Sequence, residues 1–179
     1  IDAAARCLYA EWLFSAHRTQ EAPEQVRFAL EHLPRNASEQ IDVYRTEASF
    51  AEEAGDAARA RIAYRKAIGL NRSLAKPEVL AEWEFAQFLM RQSEDAEASG
   101  VLINLLKRRP EFGPAHFALA GIRARAGDYQ EAFQEASAAL QCNPPLTEQR
   151  KIHVFLSKTY HLAGREDEAR VQEGWVERH

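Results

Sequence analysis

Small residues return along this chain at one set of intervals in two separate series, and this repetition limits the possible folds more than any other feature. One series advances in steps of 38, 38, 34 and 37 residues, and the other advances in the same steps. The first series is Ala10, Ala48, Ala86, Ala120 and Ser157, and the second is Ala22, Ala60, Ala98, Ala132 and Ala169. The pattern predicts five copies of one supersecondary unit.

The residues around these markers have helical periodicity. Large apolar side chains recur three and four residues apart, as in Phe85, Phe88 and Leu89, and no stretch has the alternation typical of a strand. Two antiparallel helices can approach closely only where the contact point lacks bulk, which explains one small residue in each helix. We therefore predict ten helices, at residues 2–16, 22–33, 38–54, 56–70, 77–92, 94–108, 114–126, 128–141, 147–163 and 165–178.

Turn and capping residues separate the predicted helices. Gly127 is expected to end a helix in the left-handed conformation, and Asp128 and Glu131 to form a capping box for the next helix. Ser93 is expected to cap the second helix of the third unit. Three further signals are expected to begin first helices: Ser38, Lys76–Pro77 and Gly113–Pro114. The three or four extra residues of the longer steps are placed at the starts of the following first helices.

Composition and charge narrow the functional class. A hydrophobic content of 46% with 28% charged residues favours a packed chain over a disordered one. The formal net charge of -4 gives no general attraction to nucleic acid, and no apolar run is long enough to predict membrane insertion. Because the first residue already reads as helix, the chain is interpreted as a fragment of a longer protein. The compartment, cytoplasm or periplasm, is left open, and abundant Arg and Ala indicate a bacterial source.

No set of reactive residues predicts catalysis. Cys7 and Cys142 lie in separate units, which argues against a disulfide scaffold and a cysteine metal site. His153 and His161 are too far apart in sequence for a metal-binding pair on adjacent turns of a helix. There is no glycine-rich phosphate loop. The chain is therefore predicted not to be an enzyme and to use no cofactor or metal.

The units resemble tetratricopeptide repeats. Residues 113–146 carry the family pattern most completely, in Leu119, Ala120, Gly127, Asp128, Tyr129, Ala132, Ala139, Leu140 and Pro144. Departures from it are Glu47 in place of leucine, His116 in place of tryptophan, Arg123 in place of tyrosine and Ser93 in place of the turn glycine.

The resemblance implies an all-α fold, a right-handed superhelical solenoid of about five antiparallel helix pairs. A single array is expected over residues 1–179. Its repeats are expected at approximately 3–36, 41–74, 79–112, 113–146 and 150–179.

In this family the first helices line a concave groove, so the resemblance implies a protein or peptide partner bound there. The matching positions of the third, fourth and fifth repeats are apolar or basic except for one glutamine: Leu80, Trp83, Gln87, Met90, Arg91, Phe117, Arg125, Lys151 and Lys158. Those of the second repeat are mixed to acidic: Asp42, Arg45, Ser49, Glu52 and Glu53. An acidic or C-terminal segment is expected near Arg91, Arg125 and Lys158. An apolar side chain is expected against Trp83 and Phe117, unless Trp83 only fills a gap between repeats. None of these positions holds asparagine, which argues against the subset that clamps chaperone C-termini.

The predicted function is a protein–protein interaction scaffold or adaptor that holds a peptide or partner helix. One alternative is a non-catalytic assembly or regulatory arm of a larger bacterial enzyme or export machine, such as a glycosyltransferase or an exopolysaccharide-secretion component. Another is a self-associating structural spacer whose concave face is closed by a second copy.

Overall fold

The computed structural model describes residues 2–16, 18 and 21–179, and all regular elements in that part of the chain are α-helices. The all-α prediction is confirmed, and the helix ends lie within about three residues of their predicted positions. The helices are α1 (Ala3–Ser15), α2 (Ala22–Glu31), α3 (Ala37–Glu53), α4 (Ala57–Ser73), α5 (Leu80–Arg91), α6 (Asp95–Arg108), α7 (Gly113–Ala126), α8 (Tyr129–Gln141), α9 (Leu146–Leu162) and α10 (Glu166–Arg178).

Close approach of paired helices occurs where the sequence predicts it. The pairs α1–α2, α3–α4, α7–α8 and α9–α10 are in extensive contact. All ten small marker residues are buried: the nine alanines have no exposed surface, and Ser157 keeps 7%. A larger side chain at these positions would force the two helix backbones apart.

A left-handed residue forms the turn inside each of four helix pairs. Gly127 has φ 83°, as predicted, and ends α7. Ser93 has φ 61° in the corresponding turn, two residues after the end of α5, so the prediction that it caps α6 is wrong. The residue before α6 is Glu94, whose side chain makes no capping hydrogen bond. The four left-handed turn residues are Gly55, Ser93, Gly127 and Gly164.

One other capping prediction is wrong for a local reason, whereas the predicted helix start at Ser38 lies within one residue of the observed start of α3 at Ala37. The Asp128 side chain makes no capping bond to α8, because the Arg123 guanidinium lies between the two acidic side chains, 3.7 Å from Asp128 and 2.9 Å from Glu131. The cap of α3 is Asn36, whose side-chain oxygen accepts a hydrogen bond from the Ser38 backbone N–H at 3.0 Å.

The extra residues of the longer repeats lie in two kinds of place. Helices α3 and α9 each have 17 residues and extend further before their marker residues than α7 does, as predicted. Helix α5, however, begins at Leu80 rather than at residue 77. The extra residues before the third repeat belong to the end of α4 and to the connection between α4 and α5. Buried Asn71 fixes this connection, because its side chain donates to the Glu78 carbonyl at 2.7 Å and accepts from the Glu78 N–H at 2.8 Å.

The chain forms two compact units, and the boundary between them lies inside α5, between Phe88 and Leu89. In the second unit, Phe133 stacks on Tyr160 with ring centroids 4.0 Å apart, inside the cluster that joins α7, α8 and α9. In the first unit, buried side chains of α1 and α2 pack together and reach Val43 of α3. No helix in the described ranges is both long and apolar enough to cross a membrane.

Candidate functional site

The contact residues predicted on α5 follow one face of that helix. Leu80 is its first residue and is 41% exposed. Trp83, Gln87 and Met90 are partly exposed, and Arg91, the last residue, is exposed. The marker alanine of the same helix is fully buried. The predicted positions are therefore the accessible ones, and they combine aliphatic, aromatic and cationic surface.

Phe117 of α7 is packed against other side chains on one side and is partly accessible to solvent on the other. Its ring meets Phe155 edge to face, with centroids 5.4 Å apart and planes at 88°. It also packs against the core cluster of the second unit, while part of the side chain stays accessible. Phe117 can therefore offer a partner a rigid apolar edge, because its other side is already fixed by packing.

Arg125 of α7 is paired within the second unit. Its Nε and Nη2 atoms donate to the two carboxylate oxygens of Asp95 at 2.9 and 2.7 Å. The hydrogen bonds raise the pKa of Arg125 and lower the pKa of Asp95. A partner carboxylate would have to share this guanidinium with Asp95 or displace it. Sequence reasoning missed this pairing because the two residues are thirty positions apart.

The two predicted lysines of α9 differ in their surroundings. The Lys151 ammonium donates to Glu148 at 2.6 Å, one turn earlier in the same helix. Lys158 borders a depression of about 380 Å³ between α9 and α10, with Val154 and Val176 as its apolar part. The remaining lining residues are Ser157, His161, Glu173 and Glu177.

His161 connects α9 to α10 at this depression. Its Nδ1 lies 2.8 Å from Glu166 and its Nε2 lies 2.8 Å from Glu173. The hydrogen bond with Glu173, and then that with Glu166, raises the pKa of His161, and the pKa of Glu173 is correspondingly lowered. Ser157 also donates to Glu173 at 3.1 Å. The predicted cationic character of this region therefore depends on pH.

Arg45 of α3 is paired with two carboxylates, Asp42 of its own helix and Glu84 of α5. Arg45 donates to both carboxylate oxygens of Glu84, at 2.7 and 2.6 Å, and to Asp42 at 2.9 Å. Burial raises the pKa of Glu53, and neighbouring Glu52 raises it further. The bridge to Glu84 joins α3 to α5 within the first unit and has no local sequence signal.

No protein-family model and no curated protein matches the sequence. Solved structures do match. BtubC from P. vanneervenii aligns with a TM-score of 0.84 at 14% identity, over 98% of this chain and 80% of that one. MamA from Desulfovibrio magneticus RS-1, from residue 41 to its end, aligns with a TM-score of 0.78 at 14% identity, over 99% and 95%. YrrB, described as a TPR protein with an unusual peptide-binding site, aligns with a TM-score of 0.69 at 15% identity, over 96% and 82%. The chain has the tetratricopeptide-repeat fold.

One departure from the tetratricopeptide pattern creates a polar site that sequence reasoning did not identify. Glu47, which replaces a core leucine, is buried and forms a bidentate ion pair with Arg59 of α4, with 2.9 Å between Nη2 and Oε2. The pair borders a depression of about 330 Å³ where Lys66 lies over the Tyr44 ring, 5.2 Å from its centroid. The sequence signal for this site is a glutamate, Glu47, at a position where the family pattern has leucine. Its partner Arg59 can be identified only from the packing of α4 against α3.

A second departure from the tetratricopeptide pattern, His116 at the usual tryptophan position, is also accommodated by hydrogen bonds. His116 lies with Nδ1 2.6 Å from Glu135 and Nε2 3.0 Å from the Pro110 carbonyl. This links the start of α7 to α8 and to the preceding turn. His116 therefore replaces the packing of the usual tryptophan of these repeats with polar contacts.

Metal ligation and thiol reactivity can be assessed from two observations on the described residues. No group of three or more His, Cys, Asp or Glu residues there has the arrangement of a metal site. Burial raises the pKa of Cys7 to about 11, so its thiol stays protonated at neutral pH and is a poor nucleophile.

Proposed function

We propose that this protein is an interaction scaffold whose first helices bind a peptide or a helix of a partner protein. One observation carries the proposal. All nine contact residues retain solvent exposure, although the marker residues of the same helices are buried. A helix face that is preformed and accessible can bind a segment at a low cost in conformational entropy.

The chemistry of these faces favours an acidic segment with an apolar anchor. Helix α5 combines Trp83 with Leu80 and Met90, and aromatic side chains are frequent binding hot spots. Arg91 ends the same helix, and Lys158 lies at the depression on α9. Carboxylates of a partner would pair with these cations of the second unit, and Trp83 of the first unit would separately provide a surface for an apolar side chain. The peptide-binding site named for YrrB is consistent with this class of partner.

The test is retention of the cellular partner by purified variants. The variant Trp83→Ala/Arg125→Ala should lose partner retention at least ~10-fold, because it removes an aromatic anchor and a cation. The matched control is Gln134→Ala/Lys66→Ala, which alters exposed residues of the second helices α8 and α4. Both proteins should keep the helical circular dichroism spectrum of the parent.

Either of two results would contradict the proposal. Full retention by Trp83→Ala/Arg125→Ala would show that these first-helix residues do not bind the partner. Loss of retention only in Gln134→Ala/Lys66→Ala would move the binding surface to the second helices.

A further inference from the structure

Helix α4 concentrates positive charge in a chain that is acidic as a whole. Five of its 17 residues are Arg or Lys and none is Asp or Glu, whereas the formal net charge of the chain is -4. No other helix in the described ranges carries more than three Arg or Lys residues. The five cations of α4 are Arg59, Arg61, Arg65, Lys66 and Arg72.

Four of these cations lie in two rows along the exposed face of α4. Because an α-helix has about 3.6 residues per turn, residues seven apart lie almost in line, so Arg59 and Lys66 share one edge of this face. Arg65 and Arg72 share the other edge for the same reason. The exposed midline between the rows is small or aliphatic: Ala58, Ile62 and Gly69. We call these seven residues the α4 face.

Two cations of the α4 face are available to an external anion. Arg59 is bound to the buried carboxylate of Glu47. Within the part of the chain that the structure describes, by contrast, no carboxylate pairs with Lys66 or Arg72, and both side chains are exposed. Lys66 contacts only the face of the Tyr44 ring, which leaves its N–H donors accessible. An anion can therefore bind here without breaking an ion pair of the fold.

The depression of about 330 Å³ beside α4 gives this basic surface an apolar pocket. Two carboxylates border it, and both are engaged. Glu47 is bound by Arg59, and Asp56 accepts the Arg59 backbone N–H at 3.0 Å. Lys66 borders the same depression, which can therefore accept one aliphatic side chain next to a cation. Its aliphatic lining is Ile62, Leu30, Ala58 and Ala63.

We propose that the α4 face binds an acidic segment of a second protein, distinct from the partner proposed for the first helices. Carboxylates of the segment pair with Lys66 and Arg72, and one aliphatic side chain enters the depression beside Ile62. The cations from Arg59 to Arg72 extend over about 20 Å of helix. About six residues of extended chain cover that length, whereas a small anion does not.

The α4 face suits an acidic polypeptide better than a nucleic acid or a membrane. Proteins that bind single-stranded nucleic acid use exposed aromatic side chains for stacking, and none belongs to the α4 face. A helix that lies in a membrane interface needs a broad apolar side, but Ile62 is the one large apolar residue of the face. An acidic polypeptide combines carboxylates with aliphatic side chains, which matches both the rows and the midline.

Binding of a defined peptide to the 179-residue chain tests this proposal. The probe is a fluorescein-labelled peptide of Asp and Glu with one central leucine, followed by fluorescence anisotropy. Lys66→Gln/Arg72→Gln should raise its dissociation constant at least ~10-fold, because two charge-assisted hydrogen bonds are lost. The matched control, Arg27→Gln/Arg170→Gln, removes two exposed cations from α2 and α10 and should change the dissociation constant less than ~2-fold.

A second pair of variants leaves every side chain of the basic rows in place. Gly69 of α4 and Gly100 of α6 lie within helices, and a Cβ at either would meet no neighbouring group within 4 Å. Glutamate therefore fits at both and favours the helix over glycine. Gly69→Glu puts a carboxylate between the two rows and should weaken peptide binding at least ~10-fold, whereas Gly100→Glu should not weaken it. Circular dichroism should show all variants folded.

Crosslinking identifies where the peptide binds. With a photoreactive leucine at its centre, mass spectrometry should locate the crosslinks in α4, and Trp83→Ala/Arg125→Ala should leave them unchanged, which separates this site from the proposed function. Crosslinks confined to α5 or α9 would overturn the proposal, as would absence of binding or equal binding by Lys66→Gln/Arg72→Gln. Tighter binding of a single-stranded oligonucleotide, or of vesicles containing anionic phospholipid, would also overturn it.

Discussion

At the scale of single residues, the fold depends on ten small side chains that let paired helices approach. Ala120 shows the constraint most clearly, because it is fully buried within the cluster that joins α7, α8 and α9. Its Cβ occupies the space between two helices, where no larger group fits without moving one of them.

We expect Ala120→Leu to lower the free energy of unfolding by about 1–3 kcal/mol, the usual cost of overpacking a well-filled core. The same substitution at Ala96, an exposed residue of α6, should change stability by no more than about 0.5 kcal/mol. Urea denaturation followed by circular dichroism measures both. An equal effect at the two sites would contradict the close-approach explanation.

The buried Glu47–Arg59 pair should respond asymmetrically to substitution. The Glu47 side chain is only 8% exposed and the Arg59 side chain is 48% exposed. Arg59→Leu leaves a buried carboxylate unpaired and should cost about 2–3 kcal/mol, somewhat less than for a fully buried pair. Glu47→Leu restores the usual leucine of this fold and leaves an arginine that can reach solvent, so it should be neutral within about 1 kcal/mol or stabilising. Chemical denaturation checks both, and a larger loss in Glu47→Leu would contradict this account.

At the scale of helices, the turns show a repeated backbone geometry with one unusual residue. Ser93 adopts φ 61° where three other pairs have glycine, and a side chain in this conformation costs about 1 kcal/mol. Ser93→Gly should therefore raise the melting temperature, and Gly127→Ala should lower it. Differential scanning calorimetry measures both shifts. If both substitutions shifted the melting temperature in the same direction, the backbone angle φ at the turn would not determine the stability of the helix pairs.

The contact of α9 with α10 should depend on pH through His161. Its folded pKa is raised above the ordinary value of 6.5, so its stabilising contribution is complete below that value and is lost as pH rises through the folded pKa. Glu173 has a pKa lowered below the ordinary value of 4.5, so its own contribution is present above that value and is lost as the pH falls through the folded pKa. The difference in melting temperature between the parent and His161→Gln should therefore be larger at pH 5.5 than at pH 8.5. A larger difference at pH 8.5 would contradict the assigned geometry.

The sequence was sufficient to predict the helices because each has its own periodicity and a small marker residue. It did not predict where the extra residues of the third repeat lie, because the hydrogen bonds between Asn71 and Glu78 that hold the connection have no signal in helical periodicity. The capping errors have the same origin. Asp128 and Glu131 match a capping box locally, but Arg123 from the preceding helix binds both.

At the scale of the whole molecule, the sequence predicts which residues are accessible better than it predicts how they are paired. The residues of α5, α7 and α9 that are predicted to contact a partner are exposed or partly exposed. The pairing of Arg125 with Asp95 and of Arg45 with Glu84 was not foreseen, because each joins residues from different helix pairs. Ion pairs between side chains of different helices depend on rotamers that periodicity does not specify.

The central claim is that first helices, rather than second helices, contact the partner. Site-specific photo-crosslinking in the native cell tests it most directly, with the photoreactive side chain placed at Met90 or Lys158 of the first helices or at Lys66 or Gln134 of the second. We predict that Met90 and Lys158 crosslink one common partner, and that Lys66 and Gln134 do not. Crosslinks to that partner from Lys66 and Gln134, with none from Met90 and Lys158, would contradict the account.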